Sequence, residues 1–345
     1  MKKILIIHSG GTIGMTKTEK GYSPDGPALK AALEQMDALK TDPVPLWDFT
    51  ETDPLLDSSR MSVSDWNRIG EAVAEHYDAY DGFVILHGTD TMAYTASALS
   101  FMFSGLDKPV ILTGSQIPLF EARTDGRDNL ITSMIIAGEG RVREVCIYFG
   151  GRLLRGNRAT KFSADGMQAF ISPNYPNLAE AGIRIVYNES VMDRKNAEKD
   201  AVRGGSDSLP PFSFVPLKDV PIGVFKVFPG IPFEVFSSLI ADPLKGIVIE
   251  AFGSGNVPDS PAVLSLIEKA RRTGTVLTVC SQCPQATVNM NAYEAGHALA
   301  AAGAVSGGDM TTEAAVAKLY YLFTVSDDTE EIRKMMEMDL RGERR

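Results

Sequence analysis

Two alternating patterns organise the first half of the chain. Short, uniformly apolar runs at Lys3–His8, Gly82–His87, Pro109–Thr113 and Glu144–Phe149 each lead into Gly, Ser or Thr. They lack the polar alternation of a half-exposed strand and read as strands buried on both faces, as in a parallel sheet. Between them, Pro27–Lys40, Val63–Tyr77, Thr91–Ser104 and Arg127–Gly138 repeat apolar residues at helical spacing, with Ser62 as an N-cap ahead of Asp65 and Trp66. Strand and helix in alternation predict an open α/β sheet covered on both faces, with its ligand site beyond the carboxyl ends of the strands.

The pattern lapses between Asn188 and Pro216, where charged residues give way to Gly204-Gly205-Ser206 and Pro210-Pro211. It then resumes with strands at Ile222–Phe228, Gly246–Phe252 and Thr275–Cys280 and helices at Phe233–Ile240, Pro261–Thr273 and Thr312–Leu322. At 345 residues the chain exceeds the ~250–300 at which a single core stops growing. The expected organisation is a larger N-terminal domain (1–187) built on an open, mostly parallel sheet with helices on both faces, a linker (188–220), and a smaller C-terminal α/β domain (221–345). The charged tail Glu337–Arg345 reads as a solvated last helix that frays.

Charge and cysteine content narrow the function classes. A formal net charge of −10 would repel a phosphate backbone, so nucleic acid is an unsuitable partner and a small molecule or protein a better one. Three cysteines, Cys146, Cys280 and Cys283, are too few for a disulfide framework and suit a reducing cytoplasm. The apolar run after Lys3 stops after four residues, short of the ~7–15 of a secretory core. No stretch approaches the ~20 apolar residues of a membrane span, so no membrane role is expected. The histidines His8, His76, His87 and His297 show no metal-ligand spacing, and neither a metal nor another cofactor is called for.

The candidate chemistry lies where apolar runs end. The first delivers Ser9-Gly10-Gly11-Thr12-Ile13-Gly14, whose glycines allow a sharp turn and leave backbone N–H groups and the Thr12 hydroxyl pointing into a site. A plain strand-to-loop turn and a dinucleotide fingerprint are the competing readings, but the G-x-G-x-x-G spacing is missing. The second ends in His87-Gly88-Thr89-Asp90-Thr91, a hydroxyl beside a carboxylate, where Asp90 alone would read as a helix cap. Parallel strands emerge on one edge, so Thr12 and Thr89-Asp90 can face one cavity. A third run ends in Thr113-Gly114-Ser115-Gln116, and Lys161 follows later in Arg155-Gly156-Asn157-Arg158-Ala159-Thr160-Lys161. A lysine brought beside Thr89 and Asp90 would form a group able to accept and return a nucleophile's proton.

Read together, these segments resemble the bacterial L-asparaginase family, most closely its cytoplasmic type I branch, over nearly the whole chain. The resemblance rests on S-G-G-T-I-G at 9–14, L-L-D-S-S at 55–59, H-G-T-D-T-M-A-Y-T at 87–95, T-G-S-Q-I-P at 113–118, R-G-N-R-A-T-K at 155–161, A-F-G-S-G-N at 251–256 and G-G-D-M-T at 307–311. It implies Thr12 as nucleophile, Tyr22 on a mobile loop that closes over the substrate, and Thr89, Asp90 and Lys161 as the proton-handling group. Ser58 and Ser59 would take the substrate α-carboxylate and Asp90 the α-ammonium, with Ser115 lining the pocket. Asn256 would complete a neighbouring subunit's site, which implies a homodimer or homotetramer.

The type I branch also implies an allosteric pocket near Thr160 and Cys283. Glu250 stands where relatives carry an arginine, and its charge would repel an effector carboxylate. The implied activity is hydrolysis of L-asparagine through a threonine ester. Two readings compete with it: the amidase subunit of a tRNA-dependent amidotransferase, and a non-catalytic asparagine-binding sensor.

Overall fold

A computed structural model describes residues 2–19, 21–192, 210–232, 244–258, 261–290 and 294–345. The chain divides into two compact units, Met1–Pro216 and Leu217–Arg345.

In the first unit the chain runs through β1 (Lys3–Gly10), a hairpin of β2 (Met15–Thr18) and β3 (Gly21–Pro24), α1 (Gly26–Gln35), β4 (Leu46–Leu56), α2 (Val63–Glu75), β5 (Gly82–Leu86), α3 (Met92–Met102) and β6 (Phe103–Ser104). It continues with β7 (Val110–Thr113), α4 (Gly126–Glu139), β8 (Val145–Phe149), β9 (Arg152–Arg155), β10 (Thr160–Lys161), β11 (Phe170–Ile171), β12 (Ala179–Ala181), β13 (Ile185–Tyr187) and β14 (Ser213–Phe214). Eight strands form one sheet in the order β13-β12-β9-β8-β7-β5-β1-β4. The five from β4 to β8 are parallel, and β9, β12 and β13 extend the sheet antiparallel.

Every residue of β5, β7 and β8 is buried, as the apolar runs predicted. Ile4 and Ile6 of β1 pack with Leu29 and Leu33 of α1 and with Leu130 and Met134 of α4. Their neighbours Leu5 and Ile7 are equally buried on the opposite face, because successive strand side chains alternate. Ser62 caps α2 as expected, its backbone N–H donating 2.9 Å to the Asp65 carboxylate.

The order β4-β1-β5-β7-β8 starts at β1, steps to one side, then crosses to the other. The switch falls between β1 and β5, where a doubly wound sheet opens a crevice at the carboxyl ends of its strands. The loops after these two strands carry Thr12 and Thr89-Asp90.

The second unit holds a four-stranded parallel sheet ordered β15 (Ile222–Lys226), β16 (Gly246–Ala251), β17 (Val276–Ser281), β18 (Val305–Ser306). Its helices among the described residues are α5 (Pro261–Arg272), α6 (Glu294–Ala302), α7 (Thr312–Val325) and α8 (Thr329–Met336). Ile247, Ile249, Val263, Ile267, Leu277 and Val279 centre a separate core.

Several expectations change. The helix expected to reach Lys40 stops at Gln35, and Asp37–Lys40 forms a 3-10 turn that buries Leu39. The helix expected to reach Ser104 stops at Met102, since Phe103–Ser104 pairs with Ser213–Phe214. That pairing joins part of the expected linker to the first unit; residues 193–209 and the expected helix Phe233–Ile240 lie outside the described residues.

The expectation for the tail is overturned. The last helix ends at Met336, and beyond it the chain folds back and buries Glu343 against Lys318 of α7, with Nζ and Oε1 2.6 Å apart. A buried ammonium needs a buried counter-charge, and that need holds the tail in place of helical continuation.

Candidate active site

Glycines set the approach of the two central loops. Gly10 and Gly11 have φ of 118° and 88°, and a Cβ on Gly11 would lie 2.3 Å from the Gly88 nitrogen. Only two residues without side chains let the β1 and β5 loops touch backbone to backbone. Thr12, partly buried, opens the 3-10 turn Thr12–Gly14 that follows. The Gly11 N–H donates to Leu56 O at 3.2 Å, which ties the end of β4 to the same loop. The chain then turns through Asp57, whose carboxylate accepts the Ser59 N–H at 3.0 Å, and presents Ser58.

Ser58 is buried, with its hydroxyl against the Gly88 Cα, where a Cβ would come within 2.4 Å. Its carbonyl accepts the Thr91 hydroxyl at 2.8 Å, while Ser59 is exposed.

Lys161 enters from β10, which is paired with β11. Its Nζ donates to Thr89 Oγ1 at 2.8 Å and to Asp90 Oδ1 at 2.6 Å. Thr89 is buried, whereas the Lys161 and Asp90 side chains are 20% and 60% accessible. An ion pair this open contributes ~0–1 kcal/mol to stability, too little to explain its geometry as a structural device. An ammonium bonded to a hydroxyl and a carboxylate together is, by contrast, suited to moving a proton.

Two participants carry no isolated sequence signal. Thr89 Oγ1 lies 3.4 Å from Gln116 Oε1, and Gln116 Nε2 donates to Ala164 O and Gly166 O at 2.9 and 3.2 Å. These two donor bonds fix the amide so that its oxygen faces Thr89. Lys161 has protons only to give, so the Thr89 hydroxyl proton turns toward that oxygen. The motif T-G-S-Q-I-P at 113–118 held this signal, but only the fold brings Gln116 to Thr89.

The second participant is Glu121. Tyr22 of the β2–β3 hairpin is half-exposed and donates to Glu121 Oε1 at 2.8 Å; this bond, then partial burial and the carboxylate's charge, raise its phenol. The loop bearing Glu121 is tied to the Thr12 turn by the Leu119 N–H, 3.1 Å from Ile13 O. Ser115 is fully buried, with no hydrogen-bond partner for its hydroxyl among the described residues.

The histidines of these strands stay neutral. Burial pushes His87 down to about 4, partly opposed by its Nδ1 contact to Gly88 O, and Nε2 lies 2.9 Å from Thr95 Oγ1. Burial likewise lowers His8 to about 4.

Of the remaining sequence-predicted residues, Thr160 lies in the first unit and Glu250, Asn256 and Cys283 in the second. Thr160 pairs with Ile171 beside Lys161. In the second unit, Glu250 accepts the Thr312 hydroxyl at 2.7 Å, and Asn256 closes a tight turn through a backbone bridge to Phe252. Cys283 is exposed, while Cys280 is buried, its thiol pushed up to about 12 by burial and then by the charges of Glu250 and Glu313. Such a thiol is no nucleophile at neutral pH. Among the described residues no group of three or more His, Cys, Asp or Glu could hold a metal, and no helix is long and apolar enough to cross a membrane.

Comparison with known proteins identifies the family of both halves of the chain. Residues 3–192 match the family model "Asparaginase, N-terminal" and residues 221–336 the "Glutaminase/Asparaginase C-terminal domain". The chain is 45% identical over 342 residues to L-asparaginase 1 of Escherichia coli K12, covering 99% of this chain and 98% of that protein. It is 36% identical to a glutamyl-tRNA(Gln) amidotransferase chain of Aeropyrum pernix, covering 99% of this chain and 79% of that one. The crystal structure of L-asparaginase I from Vibrio cholerae superposes with a TM-score of 0.89 at 44% identity, covering 100% of this chain and 99% of that one. With both halves matched and the likeness running from end to end, the chain belongs to the asparaginase family.

Proposed function

We propose that the protein hydrolyses the side-chain amide of L-asparagine to L-aspartate and ammonia, with Thr12 as nucleophile and a threonine ester as intermediate. The observation that carries this reading is the Lys161 ammonium bonded at once to the Thr89 hydroxyl and the Asp90 carboxylate, on a loop packed against the Thr12 turn. A threonine hydroxyl is a weak nucleophile and needs a positioned proton acceptor. When the hairpin closes, Tyr22 can take the Thr12 proton as it hands its own to the Glu121 carboxylate, to which it is hydrogen-bonded.

Attack on the amide carbon leaves charge on the amide oxygen, and the backbone N–H groups of the two glycine loops are suited to stabilise it. The proton passes to the departing ammonia. Water then attacks the ester, its proton passing through the hydrogen-bonded Thr89–Lys161–Asp90 group, in which the Asp90 carboxylate is the net acceptor, and returning to the Thr12 oxygen as the ester breaks. Ser58 and Ser59 take the α-carboxylate and Asp90 the α-ammonium. Ser115 lines the pocket, its unpaired hydroxyl turned to polar substrate atoms.

Asn256 serves a neighbouring subunit of a homodimer or homotetramer, working in the cytoplasm without a cofactor. If an effector pocket exists at Thr160, Glu250 and Cys283, the Glu250 charge disfavours a carboxylate there.

Purified protein is incubated with L-asparagine and L-glutamine, and ammonia is followed over substrate concentration beside Thr12→Ala and Lys161→Met. Release from asparagine that both substitutions abolish is expected, and a sigmoidal curve would restore the effector pocket. No release at any concentration would overturn the reading in favour of an amidotransferase component or a sensor.

A further inference from the structure

The last nine residues form a strap fastened at both ends. Glu343 is anchored by Lys318, both fully buried, and its carboxylate also accepts the N–H groups of Leu340 and Arg341 at 3.0 and 2.6 Å. Lys318 spends its other donors on the carbonyls of Met336 and Met338. Glu343 thereby fixes Arg344, whose Nη1 donates to Ser306 O at 2.8 Å and to Met336 O at 3.1 Å. The Arg345 N–H donates to the buried Asp309 carboxylate at 2.9 Å. Glu337 accepts the Ser306 N–H at 2.9 Å. The strap therefore grips the 306–309 loop at the carboxyl end of β18 from two sides.

That loop leads on by an unbroken series of bonds within the second unit. Gly308, with φ of 61°, lies against the Arg344 guanidinium, where a Cβ would come within 2.9 Å of Nη2. Gly308 O accepts the Val288 N–H at 2.8 Å, and the Ser306 hydroxyl donates to Val288 O at 2.9 Å. The next residue, Asn289, donates its N–H to Ser254 O at 3.0 Å. Val288 Cγ1 would meet a Cβ on Gly255 at 2.8 Å, so its side chain abuts the turn whose last residue is Asn256.

We infer that Arg344 is a positioning residue: held by the buried Lys318–Glu343 pair, it sets the 306–309 and 288–289 segments and through them the Gly253–Asn256 turn. Its bearing on catalysis rests on the proposed role of Asn256 toward substrate. A strap that only stabilised the domain would need no guanidinium seated on a glycine of the loop that feeds this turn.

The test uses the full chain with Arg344→Ala, Arg344→Lys and Asn256→Ala. Amide hydrogen exchange at Gly255 and Asn256 is measured by NMR, and steady-state ammonia release from asparagine per folded molecule is measured alongside. Arg344→Ala is expected to speed exchange at both amides by about tenfold and raise KM by roughly threefold to tenfold with kcat little changed, the scale of one lost charged hydrogen bond. Arg344→Lys, which retains a donor, should recover part of both.

Unchanged exchange at the two amides in Arg344→Ala overturns the positioning role, even if the domain melts earlier. Faster exchange with an unchanged KM, while Asn256→Ala raises KM, overturns the link to substrate. An Asn256→Ala enzyme with wild-type KM refutes the Asn256 reading itself, separately from the strap.

Discussion

Among the lysine–carboxylate pairs at 2.6 Å, Lys161–Asp90 and Lys318–Glu343 share that separation and little else. Lys161 and Asp90 meet at a loop edge, 20% and 60% accessible, with the buried Thr89 hydroxyl as a third member. Lys318 and Glu343 meet in the interior of the smaller unit, both 0% accessible, with backbone groups as their further partners. The open pair adds almost nothing to stability and keeps a proton-bearing group within reach of solvent. In the closed pair, burial raises the Glu343 carboxyl, but the Lys318 ammonium and the backbone donors outweigh it and leave the carboxyl lowered. On the proposed function, equal distance with unequal burial separates a reactive group from a structural one.

The largest expected effect breaks the open pair. Lys161→Met should lower kcat for asparagine by on the order of 10³-fold or more while shifting unfolding free energy by under ~1 kcal/mol, as ammonia release and urea denaturation would record. The mirror-image result is expected for the closed pair. Lys318→Met leaves Glu343 charged and buried and should cost about 3–5 kcal/mol in the second domain's transition, whereas Lys318→Met with Glu343→Leu should recover most of that loss. A single variant that lost stability less than the double one would reverse the assignment.

Acid sharpens the contrast through the buried histidines on the strands that lead to the site. His8 and His87 titrate at about 4 in the fold against an ordinary value of 6.5. The unfolded chain therefore binds more protons across that interval. Stability is whole above about pH 6.5 and declines as pH falls to about 4, by about 3 kcal/mol per histidine. Denaturant midpoints at pH 7, 5.5 and 4.5 check this, and His87→Asn should flatten the slope.

The smallest effect concerns Tyr22. Glu121→Gln should bring its phenol back down toward the ordinary value, readable in carbon-13 tyrosine NMR, with stability unchanged within ~0.5 kcal/mol because both groups are at the surface.

The buried strands were legible because each is apolar throughout and ends in a glycine or hydroxyl residue, a pattern that only a doubly covered parallel sheet requires. The helix starting at Val63 was legible from its Ser62-to-Asp65 signature. Edge strand β4 was not, since Leu46–Leu56 mixes apolar residues with Asp, Glu, Thr and Pro, as strands with one free edge do. Thr89, Asp90 and Lys161 were readable as chemistry, but their convergence depends on a 72-residue separation between Thr89 and Lys161 that no local pattern encodes. Gln116 and Glu121 fall in the same class. The tail misled for a related reason: Glu343 looks like one more solvated charge until the buried ammonium that needs it, Lys318, is placed.

In the proposed reaction Thr12 carries the acyl group. Rapid quenching of the enzyme with L-asparagine in the first turnovers, followed by intact-mass and peptide mass spectrometry, tests it directly. The predicted result is an aspartyl adduct confined to the peptide containing Thr12 and lost in Thr12→Ala. An adduct on the peptide containing Thr89, or turnover that persists in Thr12→Ala, would contradict it.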